Sequence, residues 1–230
     1  MLKIFKILNG ATFIYWMDNP SMMLNSRTSE EALSKRVKAL AVICLSLTVF
    51  NKLVLSKFGI PNFELIIPAL VVAGGFSLAV SGRKGPLVLY YGAAAISAIA
   101  LLDILGWGLQ PIYAFTWPGF LMVWFLATRK GLPIFERFGH LLRRATITAA
   151  LAILAFDVWT AFGAWVLWYP KTLPWLATTY LLQIPFTLYH LASLFFVPPL
   201  VGLGKVLVRI KVPIAVAAPA AARIQTSQRA

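Results

Sequence analysis

The sequence predicts an all-α membrane protein, a bundle of six transmembrane helices with both termini on the inner side. Three observations carry this prediction. Of 230 residues, 60% are hydrophobic and only 12% are charged, whereas a soluble domain is nearer half apolar and a quarter charged. The apolar residues cluster in runs of roughly 20, the length one crossing needs. The 21 Lys and Arg residues then divide 18 to 3 between the two sides, leaving only Lys52, Lys57 and Lys171 outside, as positive-inside bias requires. An odd number of crossings would put the basic tail outside and weaken that bias.

The composition excludes a disordered, collagen-like or disulfide-framed chain. A single cysteine, Cys44, forms no internal disulfide and offers no metal-site spacing. The net charge of +14 is scattered over separate loops and builds no single basic face. It therefore reads as anchoring beside anionic lipid and not as a nucleic-acid surface.

Taken in order, residues 1–36 form an N-terminal interfacial and cytoplasmic segment. Residues 1–17, with Lys3 and Lys6 among Leu, Ile and Phe, read as an interfacial helix. Residues 18–35 are polar and read as a loop, with Thr28-Ser29-Glu30-Glu31 capping a short helix into the first span. The six-helix domain covers 37–205. Its spans are Val37–Ser56, Phe63–Val80, Pro86–Leu105, Ile112–Thr128, Ala145–Trp168 and Pro174–Gly204. The second is weak in pattern because Pro68 and Gly74-Gly75 interrupt it, and the fourth is short. The sixth exceeds one straight crossing, and Pro185, Pro198 and Pro199 are expected to kink or end it.

Arg129–Arg144 is the longest inner connection. Pro133 is expected to start a helix there, with Phe135, Phe138, Leu141 and Leu142 on one side, lying on the membrane surface or docking a partner. Glu136 and His140, spaced i,i+4 in a basic loop, are too little for a metal site. Residues 206–230 are a basic tail rich in Ala and Pro, without a folding pattern.

Seven acids remain, and two fall where acids are costly. Asp103 lies near the outer end of the third span, and Asp157 near the middle of the fifth. A central Asp costs about 2.5–3.5 kcal/mol to insert, so it faces the bundle interior and has a partner. Gln183 and His190 of the sixth span are the candidates. Such a layer serves as a structural tie, a substrate contact or a proton relay. The outer side is rich in rings, including Trp107, Trp117, Trp165, Trp168 and Tyr180, with Gln110 and Asp103 nearby. An interfacial belt is one reading. A pocket for a small flat molecule or a cation is the other. Ala94 with Ala98, and Ala145 with Ala149, are ordinary small-residue packing signals.

Three ordered stretches carry a resemblance. They are Ile60-Pro61-Asn62-Phe63-Glu64 with Pro68-Ala69-Leu70 and Ala73-Gly74-Gly75; Leu101-Leu102-Asp103-Ile104-Leu105-Gly106; and Thr160 to Trp165, followed by Tyr169 to Leu173, Ile184-Pro185-Phe186 and His190-Leu191. Over about residues 37–205 this set resembles the substrate-capture (S) subunits of prokaryotic energy-coupling-factor importers, above all their uncharacterised S-component-like relatives. The resemblance implies a six-helix S-component fold in the cell membrane and an outward-facing site for a vitamin-like micronutrient. It also implies docking to a transmembrane coupling subunit that carries two ATPases. In the first helix Ala39 and Ala41 are followed by Ile43 and Leu45, where family members often carry alanines.

The expectation is therefore a membrane subunit that binds a small molecule through Asp103, Trp107, Gln110, Trp117, Trp165, Trp168 and Tyr180, above a deeper layer of Asp157, Gln183 and His190. The chain has no Gly-x-Ser-x-Gly, His-Glu-x-x-His or Walker A sequence. It is read as neither an enzyme nor a metal or cofactor protein. The rival readings are a membrane-embedded enzyme using Asp157 and His190, and a ligand-free assembly subunit.

Overall fold

A computed structural model describes residues 20–54, 65–81, 86–132 and 136–208. Among these the fold is all-helical, without strands. The elements are α1 (Pro20–Leu53), α2 (Ile66–Ser81), α3 (Pro86–Trp107), α4 (Tyr113–Lys130), α5 (Phe138–Trp168), α6 (Leu173–Ala192), a 3₁₀ turn (Ser193–Phe196) and α7 (Val197–Val208). Among the described residues, three helical stretches are long and apolar enough to cross a bilayer: Tyr90–Trp107, Phe138–Trp168 and Leu173–Val208. A shorter apolar stretch, Ile66–Ala79, lies in α2. The interfacial helix expected over 1–17, the motif at 60–64 and the tail beyond 208 lie outside the described residues.

The middle of the bundle is α2, which packs against α1, α3, α4, α5 and α7. From Leu65 to Ser77 every residue is buried, Pro68 included. A helix apolar all round is a buried helix. The features that weakened its sequence pattern explain its place. Pro68 stands in the first turn, where no backbone donor is needed. Gly74 and Gly75 leave room for neighbours: a Cβ on Gly74 would meet the Trp124 ring at 2.9 Å, and one on Gly75 would overlap Leu132. On the next helix, Gly92 admits the same Trp124 ring from the other side.

Three local expectations are corrected. Residues 20–35 are not a loop but the start of the 34-residue α1, which runs unbroken past Thr28-Ser29-Glu30-Glu31. No Pro or Gly follows Pro20 within the helix, and Met, Leu, Ala, Glu, Lys and Arg favour helix strongly enough to carry the polar residues along. The surface helix expected before Arg144 is instead the first turns of α5, which begins at Phe138. Leu141 there is buried in the core and does not lie on lipid. Pro133 and Phe135 fall outside the described residues. The sixth span breaks at the 3₁₀ turn just before Pro198 and Pro199, as expected of those two prolines, but not at Pro185, which stays inside α6. Pro198 and Pro199 open α7, and they lack the N–H groups that would continue α6 through the joint. The two halves have different neighbours: α6 packs on α5, whereas α7 packs on α1, α2 and α5.

Polar contacts gather at the two ends. At one, Arg36 of α1 donates to the Leu207 carbonyl (3.4 Å), and Lys205 of α7 donates to the Glu136 carbonyl (2.6 Å). At the other, Lys52 of α1 pairs with Asp103 of α3. Between the ends, large apolar side chains such as Val42, Leu151, Val158 and Phe186 face outward. Exposed apolar surface on this scale marks a membrane or partner contact, and with the three long apolar helices it marks a membrane protein.

Candidate functional site

The expected site residues form two clusters and an outlying pair. The first cluster lies where α1, α3 and α4 meet. Asp103, 4% exposed, receives the Lys52 ammonium on one oxygen and the Trp117 indole N–H on the other (3.3 Å). The Tyr113 hydroxyl donates to the Asp103 backbone carbonyl (3.4 Å), and the Tyr113 and Trp117 rings stack at 5.1 Å. Lys52 also lies 5.7 Å from the Trp107 ring centre. Gln110 donates to the Trp107 carbonyl (2.9 Å) and so satisfies one of the carbonyls left open at the end of α3. Gly108 ends that helix in the left-handed region (φ 72°), its N–H bonded to Ile104. Lys52 and Trp117 thus satisfy the Asp103 carboxyl group, while the exposed Trp107 and Gln110 lie beside them at the end of α3. Lys52 counted in the sequence only as an outer charge, although its end of the bundle matched that of Asp103.

Trp165 and Trp168 stand apart at the end of α5. The Trp165 indole donates to the Pro170 carbonyl (3.0 Å), and the Lys171 ammonium sits 5.6 Å from its ring. Lys171 also donates to the carbonyls of Trp165 (2.8 Å), Val166 and Tyr169 (3.0 Å). A cation over the last carbonyls is a C-terminal cap. Trp168 is 58% exposed. This pair belongs to the helix end and meets neither cluster.

The second cluster is the deeper layer. Asp157 is buried on α5, about 16 Å of helix short of Trp168, which is about half the thickness of a hydrocarbon core. His190 on α6 reaches it, with Nδ1 2.6 Å from Oδ1. The Phe156 ring meets His190 edge-on at 6.4 Å. The other carboxylate oxygen, Oδ2, is buried and has no hydrogen-bond partner among the described residues. Alongside lies a cleft of about 180 Å³ between α5 and α6, whose polar lining is Asp157, Tyr180, Gln183 and Thr187. Leu154, Val158, Ile184 and Leu188 form its apolar walls. The Tyr180 hydroxyl donates to the Val158 carbonyl at 3.3 Å and pins α6 to α5 on one side of the cleft.

The α6 face explains this grouping. Tyr180, Gln183, Ile184, Thr187 and Leu188 recur at the three- and four-residue steps of one helical stripe. That stripe is turned to α5, the only long helix α6 packs against among the described residues. Thr187 escaped notice in the sequence, though its spacing from Gln183 and Tyr180 carried the signal. Ser193 escaped as well. Fully buried in the 3₁₀ turn, it too has a hydroxyl without a partner among the described residues, and only the break in the helix marks it out.

Glu136 and His140 approach to 3.9 Å on the exposed surface, and no group of three or more His, Cys, Asp or Glu among the described residues is placed to hold a metal. Comparison with protein-family models, with curated proteins and with solved structures yields no match.

Proposed function

We propose that the chain is a membrane-embedded subunit that binds a small molecule for import, with its ligand contact at the α5–α6 cleft. One observation carries the reading: Asp157, a buried acid paired with His190 and with its second oxygen unmet among the described residues, stands beside a cleft between α5 and α6. Ionisable groups inside membrane helices are functional by default, and an apolar cavity with a few convergent polar groups is the usual form of a ligand site. The weight therefore moves from Asp103 and its neighbours, already met by Lys52 and Trp117, and from Trp165 and Trp168 at the end of α5, to Asp157, Gln183, His190 and Tyr180.

The same proposal places six crossings in the cell membrane, both termini inside, and a coupling subunit with two ATPases as partner. Its supports are the 18-to-3 charge division, the clustering of polar contacts at two opposite ends, and the resemblance to substrate-capture subunits. The test is a thermal melt of the purified chain against a panel of vitamins and related metabolites. A ligand at 100 times its Kd raises stability by about 2.7 kcal/mol. A panel without a single stabilising compound sinks the binding reading. Isolation in mild detergent without any ATPase subunit counts against the importer partner alone.

The 2.6 Å contact between Asp157 and His190 favours a second reading, a membrane-embedded enzyme, because an acid–base pair needs hydrogen-bond reach. Mass spectrometry of the bound compound after incubation separates the two. Chemical conversion supports catalysis, and recovery of the compound unchanged supports binding.

A further inference from the structure

We infer that the α5–α6 cleft holds an acyl chain of an anionic phospholipid whose headgroup phosphate sits on Arg143 and Arg144. The inference goes beyond the binding reading above, since a small ligand would enter the cleft by displacing that chain.

The cleft itself calls for hydrocarbon. Its walls are Leu154, Val158, Ile184 and Leu188, each between 43% and 64% exposed. Asp157 is 1% exposed, and the Tyr180 hydroxyl is turned to the Val158 carbonyl, so a guest meets chiefly carbon. The cleft holds about 180 Å³, below the roughly 300–1,000 Å³ of sites for drug-sized ligands, and a single slender chain suits it. It opens on the flank of the bundle, where a membrane protein meets lipid. A void left there forfeits the dispersion contacts of its lining, and the bilayer supplies chains to fill it.

The basic end of α5 supplies the headgroup contact. Arg143, Arg144, Ile147, Leu151, Leu154 and Val158 recur at three- and four-residue steps and form one exposed stripe. From Arg144 to Leu154 is about 15 Å of helix, half of a hydrocarbon core roughly 30 Å thick. A chain anchored by its phosphate at the arginines therefore reaches the cleft within one leaflet. Neither arginine forms an ion pair among the described residues, and the neighbouring Glu136 lies 3.9 Å from His140. A guanidinium grips phosphate with two parallel N–H donors, and basic positions between membrane helices are where anionic headgroups bind. A zwitterionic headgroup carries its own cation, which the arginines repel. An acidic soluble protein would use the arginines and leave the apolar stripe and the cleft uncovered.

The test is native mass spectrometry of the full chain in mild detergent, titrated with dioleoyl phosphatidylglycerol. Dioleoyl phosphatidylcholine and dihexanoyl phosphatidylglycerol are the controls. The first has no net charge, and the chains of the second are too short to reach the cleft. Dioleoyl phosphatidylglycerol should fill one saturable site at least tenfold more tightly than either control. Arg143→Gln together with Arg144→Gln should bring it down to the level of phosphatidylcholine. Leu154→Trp, which fills the cleft and leaves the arginines in place, should weaken it at least tenfold, and it decides the matter if the double variant fails to fold. Equal binding of phosphatidylglycerol and phosphatidylcholine overturns the inference, as does unchanged binding in a folded variant. Equal binding of the dihexanoyl lipid overturns it too, because the arginines would then hold the headgroup with no chain in the cleft. These outcomes are independent of the vitamin panel, whose failure removes the small-ligand reading alone.

Discussion

Removing the Asp157 carboxylate would strand His190, whose side chain is only 14% exposed, beside an empty acceptor position. A buried donor left without its partner costs about 1–3 kcal/mol. Asp157→Ala should lose that much in a chemical or thermal melt. Asp157→Asn keeps an oxygen for Nδ1 and should lose less, so equal losses would show that charge and not the hydrogen bond holds α6 to α5. The other acid behaves differently, because Asp103 has both oxygens engaged. A double-mutant cycle with Lys52→Met and Asp103→Asn should return a coupling of about 1 kcal/mol or more, as for residues of one polar network. A coupling near zero would mean that Trp117 alone satisfies Asp103. Both acids were visible in the sequence because acids are rare there and lie within apolar runs. Their partners were visible unequally. His190 follows from helix depth, but nothing in the order of residues singles out Trp117 from the other outer tryptophans.

At the scale of the element, glycine explains how α2 comes to be surrounded. A Cβ at Gly92 would overlap the Trp124 ring, and one at Gly204 would sit 2.6 Å from the Phe76 ring. Overpacking a close-packed core costs about 1–3 kcal/mol, so Gly92→Ala should lower the melting point measurably. Gly106→Ala is the control. Nothing lies within 4 Å of a Cβ there, and Gly106 is near the end of α3. That exchange should be neutral or stabilising by up to about 1 kcal/mol. If both changes behave alike, close approach is not what these glycines provide. The 3₁₀ joint shows the other limit of local reading. Pro198 and Pro199 announce an interruption. The turn at Ser193–Phe196, and the different neighbours of α6 and α7, depend on where α1, α2 and α5 leave space.

For the whole molecule, the proposed topology is testable through Cys44, which is fully buried and the only native thiol. Reagents that cannot cross a membrane should leave the parent chain unlabelled in sealed cells. Lys171→Cys should label from outside, and His140→Cys only after the membrane is opened. Labelling of both from one side would refute an odd number of crossings between them. The sequence by itself determined the solvent of this protein, its helical class and the rough position of most helices, because apolar run length and charge placement are local properties that the bilayer reads directly. Only the tertiary structure decided that one of the two weak-looking spans is the most buried, that residues before Val37 and before Ala145 extend helices, and that Trp107 and Trp117 gather about Asp103 and Lys52 while Trp165 and Trp168 stay at the end of α5. It also decided that Asp157 stands beside a cleft with one oxygen unmet among the described residues. The reason is physical: burial and hydrogen-bond satisfaction belong to pairs of helices, and the side chains that meet across a pair are chosen by packing, which no single run of residues contains.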